Sequence, residues 1–94
     1  MDTGEKLGRL LELCGELAIA VRYEPLGGEG GGLCLLRGRR VLFVDSDADL
    51  ATQYDATVSA LAGLPELDEV FLPPVLRQAL EAKRAMNRPP GDHR

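Results

Sequence analysis

Residues 33–44, LCLLRGRRVLFV, constrain the fold of this chain more than any other stretch. Two runs rich in leucine, valine and phenylalanine flank a short basic segment that contains a glycine. Paired apolar runs around such a segment are typical of a β-hairpin. Gly38 can adopt the positive φ that a type II′ turn needs at its first central position, so we place the turn at Gly38 and Arg39.

This placement leaves apolar side chains on both faces of the predicted hairpin. Leu36 then lies opposite Val41, and the same register continues outward to Leu33 opposite Val44. Because side chains alternate along a strand, one face carries Cys34, Leu36, Val41 and Phe43, and the other carries Leu33, Leu35, Leu42 and Val44. In a strand that is covered on one side only, apolar residues would alternate with polar ones. We therefore expect both faces of the hairpin to need cover, from helices of this chain or from a partner.

The remainder of the chain predicts three helices and one more strand. Apolar residues recur at three- and four-residue steps over residues 5–18, which indicates an amphipathic helix. In residues 19–23, β-branched and aromatic residues occupy alternate positions, which indicates a first strand. Asp49 is placed to cap a second helix, which Gly63 ends. A last helix begins at the proline pair of residues 73–74, because the fixed φ of proline suits a first turn.

The element order α-β-β-β-α-α predicts an α+β fold. We expect a small antiparallel sheet of three strands with the hairpin at its centre, packed against the helices. Residues 70–72 are either a fourth, edge strand or an apolar plug. The glycine run at residues 27–32 is predicted to be a flexible loop between strands. No repeat or linker divides the chain, so residues 1–86 are predicted to form one domain and residues 87–94 a disordered tail.

Size and charge narrow the functional classes. A chain of 94 residues has room for one modest core but little for a buried substrate pocket. The net charge of −4 disfavours nucleic acid and anionic membranes, and two tyrosines, two phenylalanines and no tryptophan offer no stacking platform for single strands. Basic residues cluster only around the hairpin turn, as Arg37, Arg39 and Arg40. A solvated turn is the simplest role for these arginines, and contact with an acidic protein surface or a nucleic-acid backbone is the alternative.

The cysteines indicate the compartment. Cys14 and Cys34 lie in apolar patterns, so we expect two reduced, buried thiols and no disulfide. Their spacing fits no metal motif, and we expect no cofactor. The first residues are polar and no long hydrophobic span follows them, which favours a cytoplasmic location without a membrane partner.

The segment after the hairpin places Asp45, Asp47 and Asp49 at alternate positions. An apolar strand that ends in Asp-x-Asp resembles the nucleophile motif of haloacid-dehalogenase-type phosphatases, which would imply Asp45 as nucleophile, Asp47 as general acid and a magnesium ion. The glycine and threonine expected next are replaced by Ala48 and Asp49. The resemblance also implies a doubly wound parallel sheet, for which the chain that follows is too short.

Two other ligand sites are suggested by short patterns. The three aspartates match the first ligand positions of an EF-hand loop, but Leu50 and Ala56 replace the required glycine and final glutamate. An EF-hand is therefore excluded, and helix capping is a simpler role for these carboxylates than a weak cation site. Gly28, Glu29 and Gly30 begin like a dinucleotide fingerprint, but the loop leads into a strand, and Glu29 would repel an anion.

Groups able to carry catalysis are scarce. His93, the single histidine, lies in the predicted tail, so no Ser-His or Cys-His pair can be assembled. We therefore predict a non-catalytic interaction or regulatory module that forms a homodimer or joins a larger assembly. Its candidate contact residues are Leu33, Leu35, Leu42, Val44, Arg37, Arg39 and Arg40. The alternative is a small-ligand or divalent-cation-binding domain that uses residues 27–32 and the Asp45, Asp47 and Asp49 turn.

Overall fold

In a computed structural model the chain is described over residues 1–86, so the predicted tail and His93 lie outside the described part. The helices are α1 (Thr3–Glu16), α2 (Leu50–Leu61) and α3 (Pro74–Met86), the strands are β1 (Ala20–Glu24), β2 (Gly31–Leu36) and β3 (Arg39–Asp45), and a 3₁₀ turn spans Pro65–Glu69. The predicted α+β class and the order α-β-β-β-α-α are confirmed.

The strands form one mixed sheet in the order β1-β3-β2. β2 and β3 are the antiparallel arms of the predicted hairpin. β1 lies parallel to β3, so the prediction of a purely antiparallel sheet was wrong. The physical reason is the long glycine-rich connection after β1, which crosses the end of β3 and brings β2 to its far side. β3 is therefore the central strand, and β1 and β2 are the two edges.

The hairpin turn lies one residue earlier than predicted. Arg37 and Gly38 form it, with φ of 52° and 79°, instead of Gly38 and Arg39. Positive φ at both central residues defines a type I′ turn and not the predicted type II′ turn. The far end of the hairpin fixes this register, because the Asp45 N–H donates to the Gly30 carbonyl oxygen (3.3 Å). The register slips by two positions, which leaves every side chain on its predicted face.

Helices cover only one face of the sheet within residues 1–86. α1 packs against β1, α2 packs against β2 and β3, and α3 packs on α2. The core between these elements contains Leu10, Leu13, Cys14, Ile19, Leu42, Val44, Val58, Leu61, Ala62, Leu64, Leu67, Leu72, Leu76 and Leu80. Leu42 and Val44 contribute the central strand and are completely buried. The opposite face bears exposed residues on both edge strands, including Arg22 and Cys34.

Side-chain caps define where two helices begin. The Asp2 side chain accepts the Glu5 N–H (2.8 Å), and the Glu5 carboxylate accepts the Asp2 N–H (2.9 Å), so α1 starts with a capping box. α1 thus begins two residues earlier than predicted, and Ala18, with φ of 59°, lies just beyond its end. Asp49 caps α2, as predicted, by accepting the Thr52 N–H (2.8 Å).

The segment after α2 decides between the two alternatives for residues 70–72 and corrects the predicted apolar face of α3. Residues 70–72 form no strand, which leaves the alternative of an apolar plug, and within them Leu72 is buried while Phe71 is exposed. α3 buries Leu76 and Leu80, whereas Val75 and Met86, which the predicted apolar stripe included, are exposed. Within residues 1–86, no helix combines the length and the apolar character needed to cross a membrane.

Arginines of α3 hold the preceding turns in place. Arg77 donates to the carbonyl oxygens of Leu67 (3.0 Å) and Val70 (2.6 Å), and Arg84 donates to that of Ala62 (2.8 Å). These carbonyl groups lie at or beyond helix ends, where backbone partners run out. The arginines therefore satisfy backbone acceptors and fix α3 against the core.

Candidate functional site

The open face is the sheet surface that the helices leave uncovered, and it carries Ala20, Arg22, Cys34, Leu36, Val41 and Phe43. Cys34 and Leu36 are exposed on the edge strand, whereas on the central strand Phe43 is half-buried and Val41 is buried among its neighbours. The Arg22 guanidinium carbon lies 5.7 Å from the centre of the Phe43 ring, which is a cation–π contact. Apolar groups that lie uncovered beside charged ones are typical of an interaction surface.

Two shallow depressions divide the open face. The apolar depression, of about 400 Å³, is lined by Leu26, Glu29, Gly31, Gly32, Cys34 and Phe43. The basic depression, of about 510 Å³, is lined by Ala20, Arg22, Leu36, Arg37, Arg39 and Val41. The two glycines leave room for an incoming apolar side chain, and the guanidinium groups suit a carboxylate. The open face therefore offers one apolar and one anion-accepting position side by side.

The predicted apolar contact residues lie on the other side of the sheet. Leu42 and Val44 are completely buried in the core, so the prediction that they contact a partner is wrong. Leu33 is half-buried against the same core, and only Leu35, near the end of β2, is largely exposed at 70%. The predicted contact face is thus the core face, because α1 and α2 cover it.

The three predicted basic contact residues have different environments. Arg40 donates to the Leu17 carbonyl oxygen (2.8 Å) and pairs with Glu66 (2.7 Å), which ties β3 to the end of α1 and to the 3₁₀ turn. Arg40 is therefore a structural residue and not a free contact. Arg37 and Arg39 are exposed and form no ion pair or side-chain hydrogen bond within the described chain. These two remain available to a partner.

The glycine-rich connection, which the sequence predicts to be a flexible loop, is hydrogen-bonded to the carboxylate of Asp45. Asp45, at the end of β3, is completely buried. One of its oxygens accepts the N–H groups of Leu26 (2.8 Å) and Asp47 (2.9 Å), and the other accepts that of Gly30 (3.1 Å). These bonds satisfy backbone donors where the connection crosses the end of the sheet and has no strand beside it.

Hydrogen bonding also decides the charge state of Asp45. Burial is the largest single influence and opposes ionisation, but the N–H groups of Leu26, Gly30, Asp47 and Gly28 together outweigh it and lower the pKa of the carboxyl from 3.8 to about 2. The carboxylate is therefore ionised at neutral pH. Its oxygens are occupied by backbone donors and closed to solvent, which does not suit the nucleophile that the phosphatase-like motif would imply.

The other acidic residues of the turn also have structural partners. Asp47 accepts the Gly27 N–H (3.1 Å), and Asp49 caps α2. In the part of the chain that the structure describes, no group of three or more histidine, cysteine, aspartate or glutamate side chains is arranged to hold a metal ion. Glu29, between Gly28 and Gly30, is exposed and borders the apolar depression. Within residues 1–86, the geometry of these aspartates thus gives no support to the predicted cation site.

Two features of the surface are left as candidates for function: the open face and the outer edge of β2. No protein-family model, curated protein or solved structure matches this chain. The physical chemistry of these two features therefore carries the functional argument.

The sequence predicts two buried cysteines, but only Cys14 is buried. The two thiols should therefore differ strongly in reactivity. Cys34 is exposed on the open face and Cys14 is completely buried; burial raises the pKa of the Cys14 thiol to about 11, although Arg40 partly opposes the shift. At pH 8 a maleimide should label Cys34 at least ~100-fold faster, since the thiolate is the reactive form. Mass spectrometry of partly labelled protein measures both rates, and equal rates would contradict the fold.

Proposed function

We propose that this domain is a non-catalytic protein-interaction module whose contact surface is the open face. The observation that carries the proposal is the packing of the helices on one side of the sheet, which leaves Cys34 and Leu36 exposed beside Phe43. A small domain that leaves an apolar sheet face uncovered gains stability when a partner removes that face from water.

The composition of the open face favours a partner that presents an apolar side chain next to a carboxylate. The apolar depression accepts the first group, and Arg37 and Arg39, which have no ion-pair partners within residues 1–86, accept the second. Charge of this kind mainly sets the orientation and the rate of association, while the apolar contact supplies affinity. We place the interaction in the cytoplasm, a location supported by two cysteines that form no disulfide.

Site-specific photo-crosslinking in cells tests this proposal. A benzoylphenylalanine at Leu36, on the open face, should give one discrete crosslinked product. The matched control is the same residue at Phe71, which is 79% exposed and lies outside the sheet, where Arg9 of α1 donates to its carbonyl oxygen, and it should give none. Arg39→Glu should reduce the yield at Leu36 by about tenfold, because it reverses charge in the basic depression. Identical products from both positions, or a yield that Arg39→Glu leaves unchanged, would contradict the proposal.

A further inference from the structure

β2 is an edge strand whose outer hydrogen-bonding side is unused within the described sheet. Along β2, alternate residues direct their backbone groups toward β3, and the hydrogen bond from the Asp45 N–H to the Gly30 carbonyl oxygen shows which residues these are. Leu33 and Leu35 therefore direct their N–H and C=O groups away from β3. The strand, GGLCLL, contains no proline or charged residue, the usual protection of an exposed edge. Such an edge accepts another strand.

The side chains of β2 are complementary to those of a second β2 in the opposite direction. Leu35 and Leu36, at one end, are 70% and 44% exposed, whereas the other end begins with two glycines. An antiparallel pairing centred on Cys34 places Leu36 opposite Gly32 of a second copy, where it enters the apolar depression. The same pairing places Leu35 opposite Leu33 on the helix side of the sheet.

A groove beside the outer edge of β2 has room for the incoming strand. This edge groove, of about 580 Å³, is lined by Gly31, Leu33, Thr52, Ala56, Ser59 and Ala60, together with two acidic residues. The small side chains of α2 allow close approach of another backbone or helix. With strands ~4.8 Å apart, the incoming β2 would lie directly beside this groove.

Charge also favours a second copy and selects the antiparallel direction. Glu29, an acidic residue of the edge groove, lies just before β2, and Arg37 lies just after it, while the other acidic residue, Asp55, already pairs with Lys83 (3.5 Å). Antiparallel pairing centred on Cys34 brings Arg37 of each copy toward Glu29 of the other. A parallel pairing would instead place like charges together, which costs free energy.

We infer that β2 pairs antiparallel with β2 of a second copy of this chain around a two-fold axis at Cys34. The pairing joins the two three-stranded sheets and makes the two open faces continuous. It rests on the proposed function, since it supplies the symmetric partner that this interaction module would bind first.

Sedimentation velocity of the full chain under reducing conditions tests the pairing. The wild type should sediment as a concentration-dependent dimer, and Leu35→Lys should raise the dissociation constant ~100-fold, because symmetry introduces the charge twice. Phe71→Lys, which alters an equally exposed apolar residue, should leave it unchanged. Circular dichroism should show both variants folded, since neither residue is buried.

The axis at Cys34 has its own test. Directly opposed residues in a non-hydrogen-bonded antiparallel pair have Cα atoms about 4.5 Å apart, within the range that a disulfide spans. Oxidation with copper phenanthroline should therefore link Cys34 of both copies within the dimer, and Cys34→Ser should abolish the link. Arg37→Glu should weaken the dimer about tenfold, and combining it with Glu29→Arg should restore it.

Several outcomes would overturn the pairing. They are a monomer at millimolar concentration, a dimer that Leu35→Lys leaves intact, and a dimer in which Cys34 does not crosslink. If the chain is monomeric while the photo-crosslinker at Leu36 captures a different protein, the pairing is wrong and the proposed function stands. If the chain is monomeric and that crosslinker captures nothing, both are wrong.

Discussion

Replacement of Gly31 by alanine is expected to lower the free energy of unfolding by about 4 kcal/mol, a large part of the stability of a small domain. Gly31 has φ of 103°, a region that L residues rarely adopt, and a Cβ there would overlap the Phe43 carbonyl oxygen on the paired strand. The Cβ position is fixed by the backbone of residue 31 and the oxygen is part of the backbone of Phe43, so no change of rotamer relieves the overlap. The hairpin would have to separate where it meets the glycine-rich connection.

Gly32→Ala is the matched control for this prediction. Gly32 is the next residue of β2, its φ lies outside the left-handed region, and a Cβ there would meet no atom within 4 Å. Its free energy of unfolding should stay within about 1 kcal/mol of the wild type. Urea unfolding followed by circular dichroism measures both variants, since the chain has no tryptophan for fluorescence. Equal losses in the two variants would show that strand composition, and not the overlap at Gly31, limits stability.

Elements that depend on local patterns could be predicted from the sequence. Helical periodicity indicated α1 and α2, the cap at Asp49 was identified correctly, and the two apolar runs indicated the hairpin. The direction of β1 could not be predicted, because it depends on where the glycine-rich connection crosses the sheet. That crossing is fixed by Asp45 through hydrogen bonds to residues 15 and 19 positions earlier, which no local pattern reveals.

The face of the hairpin that the helices cover was harder to predict from the sequence. Both faces are apolar in the hairpin itself, so residues 33–44 do not distinguish the covered face from the open one. The available signal lies in β1, where Arg22 and Glu24 alternate with Val21 and Tyr23. In the parallel register of β1 and β3, Arg22 lies beside Phe43. The charged side chain of Arg22 therefore indicates that this face of the sheet is the one exposed to solvent. Register across strands was therefore the missing information.

Replacement of Asp45 by asparagine is expected to destabilise the protein strongly, lowering its Tm by on the order of 10 °C. The carboxylate accepts backbone N–H groups from Leu26, Gly30 and Asp47 in a completely buried position. The amide of asparagine turns one acceptor into a donor, so at least one buried N–H loses its partner. Asparagine and aspartate have nearly the same size, so the loss of stability comes from hydrogen bonding and not from packing.

The pH dependence of stability separates this role from a general effect of charge. The pKa of Asp45 is lowered in the folded protein, from 3.8 to about 2, so the unfolded chain binds more protons between these values. The Asp45 contribution is therefore complete above about pH 4 and is lost as the pH falls toward 2. Wild-type protein should lose Tm steeply across this window, and Asp45→Asn should lose less, because asparagine does not titrate.

Thermal unfolding at several pH values between 2 and 7 measures this difference, with Glu12→Gln as the control. Glu12 is exposed and forms no hydrogen bond or ion pair within residues 1–86, so its removal should leave the acid limb of the Tm profile unchanged. Hydrogen bonds also lower the pKa values of Asp49 and Glu66. The Tm of Asp45→Asn should therefore still fall at low pH, but less steeply than that of the wild type. If the Tm of Asp45→Asn fell with pH as steeply as that of the wild type, the Asp45 carboxylate could not be the group that holds the glycine-rich connection. The crossing that places β2 at the sheet edge would then need another cause.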